Sequence, residues 1–241
     1  MPEEAAVGLR IRNMWKTRGD KRRRIRITVP EFDVPPGAFV AVLGPNGCGK
    51  STLLDMLGLL LTPDHADEFV LTGGATTNLD ALSRRDKRQV RRNFFAYALQ
   101  GGGLLECLTV RGNIRFAARL GQPAAGQAGH LAELLGLDGV LDAYPARLSG
   151  GQRQKASLAC ALARRPRIIL ADEPSAALDP PSARTILETF RQLTRENGIS
   201  LILVTHAPEM VRGSADAAFR FQIAQDSGRG LESALAPCRL P

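Results

Sequence analysis

Cysteine is scarce in this sequence. The four cysteines in 241 residues, at positions 48, 107, 160 and 238, show no CxxC spacing and no clustering with histidine. Scattered cysteines of this kind indicate reduced thiols in a cytosolic protein and argue against a zinc site. No repeat at a fixed period and no low-complexity segment is present.

Long hydrophobic runs are also lacking. The most apolar stretch, residues 53–61, is interrupted by Asp55, and it is far shorter than the ~20 residues that a membrane-spanning helix needs. The first ten residues, MPEEAAVGLR, carry acids where a secretory signal is positive, and no apolar segment follows them. We therefore expect neither a spanning helix nor a signal peptide.

Positive charge is in excess. Thirty-two Lys and Arg against 24 Asp and Glu give a net charge of +8. Such a charge favours anionic partners, whether nucleotides, nucleic acid or an acidic membrane surface, without choosing among them. With 44% hydrophobic and 23% charged residues, the chain is expected to be an ordinary soluble globular protein of one or two domains.

Two segments concentrate the basic residues. Residues 22–29 (RRRIRITV) alternate and predict a strand, for which a solvated face of an edge strand is favoured over a nucleic-acid or lipid patch. Residues 82–92 carry six basic residues and one acid, and helical spacing aligns Arg84, Arg88 and Arg91. A solvated helix face is favoured there over an anionic docking surface.

Short apolar runs alternate with helical patterns along the chain. Four runs suit strands buried on both faces of a parallel sheet: residues 39–43, 94–99, 168–171 and 201–204. Helices are predicted at 51–61, 149–163 and 182–196. Residues 101–147 show only helical patterns and predict a helical insertion in an α/β protein. After Arg212 the pattern fades, and the tail from residue 227 is predicted to be irregular.

A glycine-rich loop follows the first of these buried strands. Residues 44–51, GPNGCGKS, fit the G-x4-G-K-[ST] pattern, in which backbone N–H groups and a helix N-terminus bind phosphate. Lys50 is predicted to reach the β- and γ-phosphates, Ser51 to ligate Mg²⁺ and Thr52 to lie near the α-phosphate. The alternative is a plain glycine turn. Cys48 is interpreted as a small loop residue, with a redox switch as the alternative.

Two acids follow the apolar strand at 168–171. Because adjacent residues on a strand point to opposite faces, Asp172 and Glu173 need different roles. We predict that Asp172 holds a water on Mg²⁺ and that Glu173 polarises the water attacking the γ-phosphate. An ordinary acidic loop start is the alternative.

A third motif opens the helix at 149–163. Ser149 and Gln152 form an S-x-x-Q capping box, which by itself is a structural explanation. The two glycines between them are harder to explain, since each weakens a helix by roughly 1 kcal/mol. Close approach of an anion to free N–H groups would account for both.

In this order and spacing, the motifs resemble those of the ATP-binding cassette (ABC) ATPases of transporters. The matching segments are a Walker A loop at 44–52, an LSGGQ signature at 148–152, a Walker B strand at 168–173, a D-loop at 175–179, a Q-loop glutamine at Gln100 and a switch histidine at His206. The resemblance covers roughly residues 7–212. It implies one domain over residues 1–241, with an α/β P-loop NTPase (RecA-like) core carrying an antiparallel β subdomain (1–100 and 157–241) and an inserted α-helical subdomain (101–156).

The resemblance also implies a role for each site residue. Nucleotide contacts would be made by Gly44, Pro45, Asn46, Gly47, Cys48, Gly49, Lys50, Ser51 and Thr52. The catalytic residues would be Lys50, Gln100, His206 and Glu173, of which Glu173 would be the general base. The metal ion would be coordinated by Ser51 and Gln100 with support from Asp172. Ser149, Gly150, Gly151 and Gln152 would complete the site of an opposite subunit, with Asp179 at the seam. A lone histidine such as His206 could also be a satisfied core residue.

The implied function is ATP hydrolysis that powers transport or mechanotransmission through separate membrane subunits. The cofactors would be ATP and Mg²⁺. The partners would be a second ABC ATPase subunit, closing head to tail as a homodimer, and transmembrane permease subunits at the cytoplasmic face of the inner membrane, with no nucleic acid. Residues 104–110 would grip the permease, and residues 73–114 are most similar to macrolide-exporter and lipoprotein-release cassettes. The alternative is a soluble cassette ATPase acting on nucleic acid or ribosomes.

The sequence departs from the family at the adenine contact. The family stacks adenine on an aromatic residue some 25–30 positions before the Walker A glycines, and that place falls near Arg18. Either Trp15, the only aromatic residue close by, serves in a shifted register, or Arg18 stacks through its guanidinium plane. Cys160 replaces a frequent arginine and Leu99 a frequent phenylalanine; both are expected to alter packing rather than chemistry.

Overall fold

The computed structural model describes residues 7–19, 24–73, 76–98, 103–121, 127–174, 180–226 and 230–240. Its strands are β1 Gly8–Gly19, β2 Arg24–Val34, β3 Phe39–Leu43, β4 Glu68–Thr72, β5 Thr77–Asn78, β6 Phe95–Ala98, β7 Ile168–Asp172, β8 Ser200–Thr205, β9 Ala217–Asp226 and β10 Gly230–Pro237. Its α-helices are α1 Lys50–Leu57, α2 Arg84–Phe94, α3 Val110–Leu120, α4 Gln127–Leu135, α5 Gly150–Ala163, α6 Pro180–Asn197 and α7 Pro208–Val211.

These strands form one sheet in the order β5-β4-β1-β2-β10-β9-β3-β8-β7-β6. One half is parallel: β3 pairs with β8 and β9, and β7 pairs with β6 and β8. The other half is antiparallel, with β1 paired to β2 and β4. The predicted fold, an α/β core with an antiparallel β subdomain and a helical insertion, is confirmed.

The central strands are apolar throughout because both faces of the parallel half are covered. On one face, Val40 and Val42 of β3 share a core with Leu53 of α1. On the other, Phe39 and Ala41 share a second core with α5 and with Phe190 of α6. Fully burying each such large side chain contributes about 1.5–3 kcal/mol. The carboxyl ends of β3, β7 and β8 are therefore held rigidly side by side.

The helical insertion is confirmed within its described part, residues 103–121 and 127–147. These residues contain α3, α4 and two 3₁₀ turns, Asp138–Val140 and Pro145–Arg147, but no strand. Ile114, Leu131 and Leu158 join the three helices α3, α4 and α5 in one core. Thr109 begins α3 by accepting a hydrogen bond from the Gly112 N–H at 3.1 Å, a typical N-cap.

The prediction of an irregular tail is wrong. β9 and β10 form an antiparallel pair, and β10 also pairs in parallel with β2. This pair connects the antiparallel half of the sheet to the parallel half. The apolar alternation is hard to see because Ser233 is buried while Ile223 and Leu231 are exposed, which reverses the usual polarity of a half-buried strand.

The prediction that residues 22–29 form an edge strand is also wrong. Its described part belongs to β2, which lies between β1 and β10; Arg24 and Arg26 are nevertheless exposed, as the alternation predicts. Helix α1 ends at Leu57, four residues earlier than predicted. A Cβ at Gly58 would clash with the hydroxyl of Tyr97, so glycine is required where the helix stops.

Candidate active site

A cavity of about 420 Å³ opens beside the carboxyl ends of the central strands. Its wall is formed by residues 46, 47 and 49–52, by Asp172 and Glu173 of the β7 end, and by Ile25 and Ile27 of β2. Ligands in open α/β sheets bind at such strand ends. The structure thus brings the Walker A and Walker B segments to one cavity, where Ser51 and Asp172 are in contact although they are 121 positions apart in the sequence.

The glycine loop needs glycine for two different reasons. Gly47 and Gly49 have φ values of 79° and 110°, in the left-handed region that residues with a Cβ rarely adopt. A Cβ on Gly49 would in addition lie 2.7 Å from the side chain of Ile27. The loop therefore packs its backbone closely on β2, while Gly47 has open space beside it.

Cys48 faces away from the cavity. Its side chain is fully buried, and burial raises the pKa of its thiol. A protonated, inaccessible thiol reacts slowly with oxidants. These observations favour the small loop residue over the redox switch.

Lys50 holds a buried positive charge at the cavity wall. Its side chain is 6% exposed, and its Nζ lies 3.3 Å from Glu173 Oε1. Nζ also donates to the carbonyls of Gly44 and Pro45 at 2.8 and 3.0 Å. These acceptors offset the cost of burying the ammonium group. The loop thereby fixes a cation in the place predicted for phosphate binding.

Ser51 and Asp172 form a pair of oxygen donors. The Ser51 hydroxyl donates to Asp172 Oδ2 at 2.9 Å. Hydroxyl and carboxylate oxygens suit Mg²⁺, which usually keeps several waters and takes its remaining ligands from substrate phosphates. Among the described residues, no group of three or more His, Cys, Asp and Glu could hold a metal alone, so this donor set fits a magnesium ion shared with a phosphate.

Glu173 lies between Lys50 and His206. Its Oε2 is 2.7 Å from His206 Nδ1, and its side chain is 12% exposed. The prediction that Asp172 and Glu173 face opposite sides is wrong: β7 ends at Asp172, and Glu173 has a left-handed φ of 44°. Both acids consequently reach the same cavity. Left-handed backbone at a residue with a side chain costs about 1–3 kcal/mol and clusters at active sites.

The signature residues lie outside this cavity's wall. Ser149 begins α5 with a complete capping box: its hydroxyl accepts from the Gln152 N–H at 3.2 Å, and Gln152 Oε1 accepts from the Ser149 N–H at 3.0 Å. Gly150 and Gly151 form the first turn of α5. The structural explanation of Ser149 and Gln152 is therefore correct, and it leaves the two glycines at an accessible helix N-terminus.

Some predicted positions lie outside the described residues. These are Gln100, Asp179 with the rest of the D-loop at 175–179, and Leu99.

Cys160 is described: burial raises the pKa of its thiol to about 12, which agrees with a packing role.

The register of β1 and β2 separates Trp15 from Arg18. Trp15 lies opposite Thr28, whereas Arg18 lies opposite Ile25, and directly opposite residues of an antiparallel pair share a face. Arg18 is thus on the face of Ile25 and Ile27, which line the cavity. Its charge also opposes the rise in the pKa of Asp55 on α1 that burial causes.

Trp15 is on the other face of the sheet and is already covered. The Arg26 guanidinium lies 4.2 Å from the centroid of the indole ring. The His65 ring stacks on the same indole with centroids 6.1 Å apart. The sequence did not predict this packing around Trp15. It also did not predict that Ile25 and Ile27 line the cavity, because alternation along β2 indicates an apolar face but not which part of the protein packs against that face.

Comparison with known proteins places the chain in a family. The ABC transporter family matches residues 27–176, more than half of the chain. The methionine import ATP-binding protein MetN of Thermobifida fusca (strain YX) is 42% identical over 188 residues, covering 76% of this chain and 57% of MetN. An uncharacterised ABC transporter ATP-binding protein of Methanocaldococcus jannaschii, MJ1508, is 34% identical over 206 residues, covering 83% of this chain and 90% of MJ1508.

A solved structure gives the same result. The ATP-binding cassette MJ0796, described as a dimer in a post-hydrolysis state bound to ADP and Pi, superposes with a TM-score of 0.76 at 27% identity. The match covers 88% of this chain and 93% of MJ0796. The chain spans slightly more than half the length of the MetN proteins it matches. The resemblance of residues 73–114 to macrolide-exporter and lipoprotein-release cassettes stays a prediction. This chain belongs to the ABC transporter family, and its fold is that of an ABC ATPase domain.

Proposed function

We propose that this chain is the ATP-binding and ATP-hydrolysing subunit of an ABC transporter complex. Residues 101–156 would be its helical subdomain. The observation that supports the proposal is a set of contacts around one cavity: Ser51 with Asp172 at 2.9 Å, and Glu173 with both Lys50 and His206 at 3.3 and 2.7 Å. The groups that we assign to phosphate binding, to metal binding and to the general base thus lie together at the carboxyl ends of the central strands.

Binding would use the loop and the residues that follow it. Backbone N–H groups of the loop and the ammonium of Lys50 would hold the triphosphate, and Thr52 would lie beside the α-phosphate. Ser51 and Gln100 would coordinate Mg²⁺ with support from Asp172, and the bound ion would neutralise charge on the phosphate oxygens.

Hydrolysis would proceed by in-line attack of water on the γ-phosphate, giving ADP and phosphate. Glu173 would accept the proton of that water as general base. His206 donates to Glu173 when its Nδ1 carries the proton, and its Nε2 would then be left to contact the γ-phosphate and the water. Positioning and charge stabilisation would supply most of the rate enhancement.

A second copy of the chain would complete each site. The N-terminus of the 14-residue helix α5 is accessible and lies outside the cavity of its own chain. A helix N-terminus with glycines is suited to bind an anion from outside. We propose that Ser149, Gly150, Gly151 and Gln152 contact the nucleotide of a partner in a head-to-tail dimer, with Asp179 at the seam; MJ0796, a relative, is described as a dimer.

Membrane subunits would bind at a second cavity. This groove of about 220 Å³ lies between β6 and the helical insertion, and its lining includes Leu105, Phe116, Leu120 and Arg164. Phe116 and Leu120 are 45% and 47% exposed. No helix among the described residues is long and apolar enough to cross a bilayer. We propose that a cytoplasmic helix of a permease occupies the groove and holds the chain at the inner face of the membrane.

The nucleic-acid alternative rests on the net charge of +8 and on the arginine runs at residues 21–26 and 84–92. The second run lies in the basic helix α2. None of its residues is buried, but part of its charge has a structural use: Arg91 donates to the Leu59 carbonyl and Arg92 to the Leu120 carbonyl, both at 2.8 Å. These contacts favour a solvated helix that is hydrogen-bonded to neighbouring segments over a surface that binds nucleic acid.

The proposed function is tested by capture from detergent-solubilised membranes. The tagged wild-type chain should hydrolyse ATP in the presence of Mg²⁺ and should co-purify with an integral membrane protein, identified by mass spectrometry. Phe116→Glu should abolish co-purification, since it places a charge in the apolar groove, while MgATP affinity changes less than about twofold.

Leu134→Glu is the matched control. Leu134 is also an exposed apolar residue of the insertion, on α4, but it does not line the groove, so its variant should retain the membrane protein. The proposal fails if the wild-type chain neither hydrolyses ATP nor brings down a membrane protein. Equal loss in both variants would contradict the position of the docking groove.

Arg18 is proposed to stack on the adenine ring. Arg18→Ala should raise the dissociation constant for MgATP about fivefold, since a guanidinium–ring contact contributes on the order of 1 kcal/mol. Trp15→Ala should leave it unchanged, because the indole is on the opposite face of the sheet. Calorimetric titration with MgATP measures both.

Inorganic tripolyphosphate distinguishes a base contact from a phosphate contact. Its affinity should be the same for the wild type and for Arg18→Ala if Arg18 meets the base. Weaker ATP binding by Trp15→Ala alone would show that the tryptophan serves instead.

A further inference from the structure

The last strand of the sheet contacts the glycine loop. Ser233 in β10 is fully buried, and its hydroxyl donates to the backbone carbonyl of Cys48 at 2.6 Å. The two residues are 185 positions apart in the sequence. A buried serine hydroxyl with a short bond to a loop carbonyl fixes the orientation of that carbonyl.

The orientation of this carbonyl determines where the next amide points. The Cys48 carbonyl and the Gly49 N–H belong to one planar trans peptide unit, so they point in opposite directions. Because Ser233 holds the carbonyl toward β10, the Gly49 N–H points away from β10. Gly49 itself lines the cavity, which is where an N–H turned away from β10 would meet a phosphate.

The same peptide unit is supported from the neighbouring strand. β10 pairs with β2 in a register that places Ser233 beside Ile27. The Ile27 side chain packs against Gly49, where a Cβ would lie 2.7 Å from it. The packing of Ile27 therefore limits how closely the 48–49 peptide approaches β2, and the hydrogen bond from Ser233 fixes the rotation of that peptide.

A hydrogen bond that holds the 48–49 peptide, here called the Ser233 tether, is needed because glycine is conformationally free. Gly49 has φ near 110°, and the 48–49 peptide could rotate to aim its carbonyl at the cavity, since glycine tolerates both signs of φ. A carbonyl oxygen facing an anionic phosphate would oppose binding. We propose that Ser233 is a positioning residue that keeps the Gly49 amide turned toward the nucleotide phosphates; the proposal rests on nucleotide binding by the loop.

The test compares two buried serines of the same sheet. Ser233→Ala should raise the dissociation constant for MgATP and the KM for hydrolysis about tenfold, with kcat changed less than twofold, because ground and transition states lose the same amide contact. Ser233→Cys keeps the side-chain size but donates weakly, so it should show a smaller rise in KM and serves as the readout if the alanine variant does not fold.

Ser200→Ala is the matched control. Ser200 is equally buried, and its hydroxyl donates to the Val7 carbonyl at 3.0 Å, but it does not line the cavity. Its loss should lower the thermal midpoint without changing KM.

Three results would overturn the proposal. One is an unchanged KM for Ser233→Ala, and another is an equal rise in KM for Ser233→Ala and Ser200→Ala, which would indicate general destabilisation. The third is a rise in KM that is accompanied by a fall in kcat of more than about twofold. If the wild-type chain binds no MgATP, the proposed function itself fails, and the tether has no role in it.

Discussion

Replacing Glu173 with glutamine is expected to leave MgATP binding intact and to lower steady-state hydrolysis at least about a hundredfold. Glutamine has the size of glutamate and can still accept a hydrogen bond from His206, which lies 2.7 Å from Glu173 Oε2. It cannot accept a proton from water, and general-base catalysis typically contributes 10²–10⁴-fold. Phosphate release measures the loss, and calorimetry measures the retained binding.

The same variant should accumulate the nucleotide-bound dimer. If each cavity is completed by α5 of a second copy, blocked hydrolysis keeps both nucleotides in place and the two chains together. Small-angle scattering with saturating MgATP should then give twice the monomer mass. Glu188→Gln, a change at an exposed position on α6, should behave like the wild type in both assays.

Two outcomes would contradict this account. Unchanged hydrolysis by Glu173→Gln would remove Glu173 from the role of general base. A strict monomer at saturating nucleotide, with no second cassette recruited, would contradict the shared site and leave the glycines of α5 without the proposed use.

The parts of the fold that sequence reasoning predicted well are those with a local signal. β3, β7 and β8 are short apolar runs covered on both faces, and each was predicted to within a residue or two. The phosphate loop and the acids after β7 belong to contiguous motifs, so their residues could be named before their contacts were known. The Lys50–Glu173 and Glu173–His206 contacts then follow from parallel strands that end at one edge.

The parts that were missed depend on pairing between distant strands. β10 joins β2, some 200 residues earlier, and its most informative residue, Ser233, is a polar side chain at a fully buried position. Periodicity assigns such a residue to the solvent face. The role of the tail in the sheet is consequently invisible until the partner strand is known.

The sequence left the alternatives Trp15 and Arg18 open for a related reason. Along β1 the buried apolar side chains are Leu9, Ile11 and then Met14, so the alternation shifts by one residue at Asn13, whose φ is 47°. A one-residue shift exchanges the faces of every later side chain. Spacing from the loop alone could not decide which of the two reaches the cavity.

Replacing Lys50 with alanine is expected to weaken MgATP binding at least about a hundredfold and to abolish measurable hydrolysis. The ammonium is fixed beside the cavity by the Gly44 and Pro45 carbonyls, and charge-assisted hydrogen bonds to phosphate contribute about 1.5–3 kcal/mol each. Removal of the ammonium also leaves the carboxylate of Glu173, which is mostly buried, without its paired cation. The negative charge of Glu173 would then repel the phosphates.

Two further variants show whether position or mere charge matters. Lys50→Arg keeps the charge but replaces a compact ammonium with a broad planar group, which cannot reach the same two carbonyls inside the loop, so we expect binding to be lost there too. Lys87→Ala removes one charge from α2, none of whose residues lines the cavity, and should change the affinity less than twofold. Equal weakening by Lys50→Ala and Lys87→Ala would mean that the excess of eight positive charges, rather than the geometry of the loop, attracts the nucleotide.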